Sequence, residues 1–289
     1  MILSSGKPTI AGGSLPIAIN SRLANYVRAK RYAIENGLGE WVERKNGVVE
    51  WRMEQTPAQI ERIKADREIA RANATRRRIA ESGIPDLYRD ANFVTNAQGK
   101  PLQIDDGNAE AIKRCRQYAA FYRPKVRGCL LVGPNPGCGK TYPMCAALSV
   151  TASNGYTVRF IRVARFLELI RESFGVKPGA GSRTAGDIMR EYSECDVLLL
   201  DDLGSEKIAA DSAGDWSRDR VFELIDTRLN ASRTTLGTSN LTEDMLKSHY
   251  GTRTWSRMCD KAHGWELVPV KGPDRRNPED PFSAVSEED

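Results

Sequence analysis

No apolar run in the sequence approaches the roughly 18 to 20 residues that a membrane-crossing helix needs. Its opening, MILSSGKPTIAGGSLPIAIN, interrupts each short apolar stretch with Gly, Ser or Pro. Neither a membrane span nor an export signal is therefore expected, and the expected location is the cytoplasm. Histidine is scarce, with only His249 and His263, and none of the six cysteines (Cys115, Cys129, Cys138, Cys145, Cys195, Cys259) stands in a C-x-x-C pair. That spacing argues against a zinc site, and scattered thiols suit a reducing compartment, where they serve as small buried apolar groups. A strong charge of either sign is missing too. The balance of 43 Lys plus Arg against 38 Asp plus Glu leaves +5, which permits contact with nucleic acid without arguing for it. Internal repeats and low-complexity blocks are also absent. What is present, 40% hydrophobic residues in 289, is enough for one ordinary core plus a smaller helical region and excludes a wholly disordered polymer.

Three zones differ in character. From Ser21 to Ile84 the chain is highly charged with helical spacing, from Asp86 to Gly272 strands alternate with helices, and after Pro273 it turns polar and acidic. The expected divisions are residues 1–85, 86–276 and a tail over 277–289. In the first zone Thr56 is a helix N-cap with Pro57 at the first helical position. The helix runs through Ile60, Ile63, Ile69 and Ile79 and stops at Gly83, with Pro85 beyond, a length of roughly 39 Å at 1.5 Å per residue. Its mixed charges read as a solvated face of i,i+4 pairs. Before it, Asn46-Gly47 predicts a two-residue hairpin turn joining residues 41–51. That register sets Val42 opposite Trp51 and Arg44 opposite Val49, at the cost of Glu43 opposite Glu50.

The chemistry sits in the second zone. Cys129 to Val132 reads as a short buried strand, followed by Gly133-Pro-Asn-Pro-Gly-Cys-Gly-Lys140-Thr141 and then an apolar helix. A phosphate group needs converging N–H donors, and such a loop opening a helix supplies them. Gly137, Cys138, Gly139, Lys140, Thr141 and Tyr142 are the candidate nucleotide contacts, with the Lys140 ammonium for the outer phosphates and the Thr141 hydroxyl for Mg²⁺. The strict G-x-x-x-x-G-K-[ST] pattern wants glycine at 134, where this chain has Pro134 with Gly133 one place early. Either the loop carries one extra residue or its first turn is built differently, with Asn135 as a possible left-handed position.

The second half of the site is Cys195-Asp-Val-Leu-Leu-Leu-Asp201-Asp202-Leu-Gly204, a buried strand whose apolar run stops at two carboxylates. Ligands collect at that edge of a parallel sheet. Asp201 is the candidate Mg²⁺ holder and Asp202 the group that orients an attacking water. The strands bearing Lys140 and the acids are expected to adjoin. Thr234 to Ser239 reads as a further central strand that delivers Asn240.

With these residues in order, the chain resembles the AAA+ ATPases of the bacterial helicase-loader family (DnaC-like, DnaI) and the similar IstB-like transposition helpers. The match is carried by Ser82-Gly-Ile-Pro85, Gly133 to Thr141, Leu198 to Gly204, Thr238-Ser-Asn240, Tyr250-Gly-x-Arg253-x-x-Ser-Arg257 and Lys271-Gly-Pro-Asp-Arg-Arg276. The resemblance implies an α/β P-loop core with a central parallel sheet and a small or absent lid, preceded by a mainly helical N-terminal domain. It implies binding and hydrolysis of ATP with Mg²⁺, Asn240 as first sensor, and Arg257 as an arginine finger acting in a neighbouring subunit. Arg276, or else Arg275, would be the second sensor, with Arg253 assisting. It further implies self-association, an N-terminal region that engages a DnaB-like replicative helicase, and contact with single-stranded DNA through Arg171, Phe174 and Lys177. The expected function is helicase loading in DNA replication. The alternatives are a transposition helper or an adaptor that binds ATP without hydrolysing it.

Overall fold

The coordinates, a computed structural model, describe residues 21–43, 49–53, 55–175, 182–206 and 212–275. Helix α1 (Ser21–Glu35) leads into a hairpin of β1 (Gly39–Glu43) and β2 (Val49–Met53), then α2 (Pro57–Glu81). The start of α2 follows from its sequence. The Gln59 amide donates to Thr56 Oγ1 at 3.4 Å while the Thr56 amide donates to Gln59 Oε1 at 2.8 Å, a reciprocal cap that satisfies two otherwise orphaned donors. It stops before Gly83, which takes φ +79°, a conformation that glycine adopts without a Cβ penalty. By its contacts the chain divides within α2 into two units, Met1–Arg71 and Ala72–Asp289. In the first, Ala29, Ala33 and Ile60 form a small buried cluster, while Ile69 on α2 is exposed.

The hairpin forms in a different register from the one expected. Trp41 lies opposite Trp51, Val42 opposite Glu50, and Glu43 opposite Val49. This pairing sets Glu40 against Arg52 and separates Glu43 from Glu50, so a like-charge pair is exchanged for an unlike one. A two-residue turn at Asn46-Gly47 does not give that register; residues 44–48 lie outside the described ones.

In the second unit a parallel sheet joins β3 (Gly128–Val132), β4 (Val158–Arg162), β5 (Val197–Asp201), β6 (Thr234–Ser239) and β7 (Trp265–Pro269) in the order β4-β5-β6-β3-β7. Alternation decides its layers. Cys129, Leu131, Val197 and Leu199 join one buried cluster, and Leu130, Val132, Leu198 and Leu200 join the other, so both faces must be covered. Helices α3 (Ala109–Phe121) and α4 (Thr141–Ser153) cover the first face with Ala111, Cys115, Cys145 and Leu148. The second is covered by α5 (Val163–Glu172), α6 (Ala185–Glu194), α7 (Ser212–Asn230), α8 (Glu243–Tyr250) and α9 (Thr252–Met258), which contribute Phe166, Ile188, Leu224, Leu246 and Trp255. Edge strand β4 is partly covered where the Phe160 amide donates to Ser82 O at 2.7 Å, which uses up an exposed ladder position.

The strands bearing the lysine loop and the acid pair do not adjoin, contrary to expectation: β6 lies between β3 and β5. Each pairing is parallel, so all three strands still end at one edge of the sheet. The intervening strand contributes its own polar groups there.

Candidate functional site

At the end of β3 the chain turns at Gly133, where a Cβ would stand 2.1 Å from Val270 O. Glycine is required there by the close pass of the segment after β7, independently of any ligand. The left-handed positions of the loop are Gly137 (φ +75°) and Gly139 (φ +96°). Asn135 is not one of them, which corrects the sequence expectation: two glycines absorb the turn at no steric cost. Lys140 is buried, and its ammonium donates to Gly133 O and Asn135 O, both at 2.9 Å, with Cys138 Sγ at 3.4 Å. Thr141 and Tyr142 follow as the first residues of α4.

Residues 271–275 lie across this loop. Asn135 Nδ2 donates to Gly272 O at 3.1 Å, the Arg275 amide to Gly137 O at 2.9 Å, and Arg275 Nε to Cys138 O at 3.0 Å. The same guanidinium donates to Asp105 Oδ2 at 2.7 Å. Burial alone would raise the Asp105 carboxyl. The hydrogen bond and charge of Arg275, with the amides of Gly107 and Asn108, hold it below its ordinary value. Arg275 is thus the arginine seated on the loop; Arg276 lies outside the described residues.

The acids end β5 with different surroundings. Asp201 is 4% exposed, and its Oδ1 accepts from Thr141 Oγ1 at 2.8 Å and Thr238 Oγ1 at 2.7 Å. Arg162, at the end of β4, approaches Oδ2 to 3.7 Å. Burial pushes the Asp201 carboxyl up, outweighing the two hydroxyls and Arg162, and the neighbouring Asp202 charge adds to the rise. Asp202 itself has φ +63°, a position that for a residue with a Cβ costs of order 1 kcal/mol and is held only by its surroundings. Here the holders are Thr238, whose Oγ1 accepts from the Asp202 amide at 3.0 Å, and Asn240, whose Nδ2 donates to Asp202 Oδ1 at 2.7 Å.

Together these groups line a cavity of about 880 Å³ that includes Gly137, Gly139, Lys140, Thr141, Tyr142, Asp201, Asp202 and Asn240. That size suits a nucleotide. Its far wall comes from residues 87–103. Tyr142 ties this wall to α4, its hydroxyl donating to Thr95 O at 2.5 Å and accepting from the Asn92 amide at 3.3 Å. Sequence reasoning missed Arg162, Thr238 and this wall. A threonine two places before Asn240 on the same strand was the available signal for Thr238; nothing local marks the other two.

Two groups of candidate residues lie apart from the cavity. Arg257 is on α9, where its Nε donates to Asp226 Oδ1 at 2.9 Å and its guanidinium also meets Asn230; it does not line the cavity, and neither does Arg253. Arg171 and Phe174 gather on Trp216 of α7, with the guanidinium 4.9 Å and the phenyl centroid 5.8 Å from its ring. Trp216 was not anticipated, and Lys177 lies outside the described residues.

A glycine-rich loop and an acid pair at one edge of a sheet ordered β4-β5-β6-β3-β7 define a P-loop fold of the AAA+ kind. The chain belongs to the family of IstB-like ATP binding proteins, whose model matches residues 110–279. Among relatives, a protein of insertion sequence IS1162 from Pseudomonas fluorescens, named for ATP binding, is 32% identical over 142 residues, 49% of this chain and 55% of that protein. The chain thus spans about half the length of that relative. Protein XkdC of the phage-like element PBSX in Bacillus subtilis is 25% identical over 245 residues, 81% of this chain and 80% of the other. The solved structure of the DnaC helicase loader superposes with a TM-score of 0.53 at 22% identity, covering 65% of this chain and 100% of that one. A Streptococcus pyogenes structure described as a primosome component gives 0.51 at 18% identity, covering 69% and 98%. Among the described residues no helix is long and apolar enough to cross a membrane.

Proposed function

We propose that this chain is an ATPase whose nucleotide state governs the loading of a DnaB-like hexameric replicative helicase onto single-stranded DNA. The observation that carries the ATPase part is the convergence of Lys140, Thr141, Asp201, Asp202 and Asn240 on one cavity. The Thr141 hydroxyl and the Asp201 carboxylate meet at 2.8 Å, and hard oxygen donors of this kind fit Mg²⁺, which when bound neutralises phosphate charge. Lys140 and the loop amides would hold the phosphates. Asp202, steadied by Asn240, would orient the attacking water, with Arg275 as the second sensor on this chain.

Arg257 stands away from its own cavity, and on this reading it serves the cavity of a second copy. Arg171, Phe174 and Trp216 supply a cation and two aromatic faces suited to unpaired bases and their phosphates. Residues 1–85 would engage the helicase and 86–276 would form the ATPase.

One observation favours a second reading, a transposition helper: the 32% identity to an insertion-sequence protein. Co-purification of the full chain from its host discriminates the two, since recovery of a replicative helicase supports the first reading and recovery of a transposase supports the second. Phosphate release with and without single-stranded DNA tests the enzyme. Wild-type turnover that is lost in Lys140→Ala is the expected result. Nucleotide binding with no turnover at all would leave only a non-hydrolysing adaptor.

A further inference from the structure

Four residues beyond Asp202 stands a carboxylate outside the cavity. Glu206 is buried, its side chain only 3% exposed. A buried carboxylate persists only where donors converge on it, and three do. The Gly204 amide donates to Oε2 at 3.0 Å, the Tyr250 hydroxyl donates to Oε1, and His249 Nε2 lies 3.0 Å from the same oxygen. The His249 and Tyr250 rings pack edge to face, 4.6 Å between centroids.

The location of these donors matters more than their number. Tyr250 is the last residue of α8, and Asn240, which holds Asp202, lies just before that helix begins. Between them, Ser239 Oγ donates to Leu203 O at 2.6 Å, and Gly204 passes so close to Leu241 that a Cβ would stand 2.5 Å from Cδ1. Residues 202–206 are therefore fastened to α8 at both of its ends, across a helix of about 12 Å. A single residue, Gly251, separates α8 from α9, and α9 carries Arg257.

We infer that Glu206, His249 and Tyr250 form a joint that makes the acid-bearing turn, α8 and α9 move as one body, so that Arg257 is positioned by the state of Asp202. The inference rests on the ATPase reading. Glu206 touches no reacting atom in this scheme and is a positioning residue. A displacement at Asp202 on nucleotide binding reaches α8 at both of its ends, whereas release of the Glu206 end leaves it to enter only at the Asn240 end, away from the end that Gly251 and the packing of Trp255 and Met258 join to α9.

The test uses the full chain, a fluorescent ATP analogue for affinity, and hydrogen exchange of residues 252–258 with and without ATP and Mg²⁺. In the wild type, nucleotide is expected to change the protection of 252–258. Tyr250→Phe removes one hydroxyl and Glu206→Gln removes the charge at constant shape. Both are expected to bind the analogue within twofold of wild type, to lose at least half of that change in protection, and to turn over at least tenfold more slowly. The double variant should be no worse than the poorer single one, as expected for groups acting as a unit. His249→Gln, which keeps a donor in place, is expected to retain the wild-type response. The joint is refuted if both Tyr250→Phe and Glu206→Gln preserve the full change in protection, or if the wild type binds nucleotide with no change at 252–258. A wild type that binds no nucleotide refutes the ATPase reading itself.

Discussion

Replacing Asp201 by asparagine should have opposite effects on the ligand-free and the nucleotide-bound protein. The carboxyl is held above its ordinary value of 3.8, with burial the largest cause. The folded chain therefore binds this proton more readily than the unfolded chain does. The ionised form is a net cost to folding, absent below pH 3.8 and fully present once the pH exceeds the raised value. Asparagine removes the buried charge and keeps an oxygen to accept from Thr141 and Thr238. Removing the buried charge removes that cost and should raise the ligand-free midpoint, by roughly 2 to 4 °C for each kcal/mol in a domain of this size. With nucleotide the sign reverses. At a free concentration one hundred times Kd, a ligand stabilises the wild type by about 2.7 kcal/mol, and without the Asp201 charge much of that gain should vanish. Calorimetric scans of both proteins, each with and without ATP and Mg²⁺, test the pair of effects. A lower ligand-free midpoint for Asp201→Asn, or an undiminished shift with nucleotide, would refute the reasoning.

Gly133→Ala should destabilise the fold by about 2 to 4 kcal/mol in urea titration, because its Cβ would collide with Val270 O at 2.1 Å; an unchanged midpoint would mean that the segment after β7 gives way freely. Arg257→Ala removes half-exposed contacts to Asp226 and Asn230, so its stability cost should be at most about 1 kcal/mol. On the reading that Arg257 completes a second copy's site, turnover should fall at least about a hundredfold while the affinity for ATP stays within twofold.

The sequence was most legible where one residue type has one physical job. Pro57 after Thr56 marks the start of α2, and both flanks of the lysine loop, β3 and α4, follow from an apolar run that meets Gly-Lys-Thr. It was least legible where distant segments decide. Strand order is not written in local pattern, so β6 between β3 and β5 had to come from the packed sheet. Gly133 reads as part of a phosphate loop, yet its lack of a side chain answers to Val270. The hairpin shows the same limit in miniature. Asn46-Gly47 favours one register, while the pairing of Glu40 with Arg52 and the parting of Glu43 from Glu50 belong to another. Glu206 is the sharpest case: an acidic residue in a polar stretch looks solvated until Tyr250 and His249 are brought to it from over forty residues away.

The state of three of the cavity's cations bears on why one chain would need another. Lys140 is held by the carbonyls of Gly133 and Asn135, Arg275 by Cys138 O and Asp105, and Arg162 lies beside Asp201. Each is engaged within the chain, so a triphosphate has to win these groups from existing partners, and the loop carbonyls released by Lys140 must find water or a new donor. Such an exchange limits the net gain on binding, but it keeps the lysine and the loop in place beforehand, which lowers the entropy cost of assembling them around a ligand. Charge that appears only as the phosphoryl group transfers must then be met by a cation not already committed to holding the ground state. Arg257, bound to a partly exposed carboxylate by contacts of low cost, is a group that a neighbouring copy could draw away cheaply. On the reading proposed above, turnover would then depend on assembly, and binding would be left to the single chain.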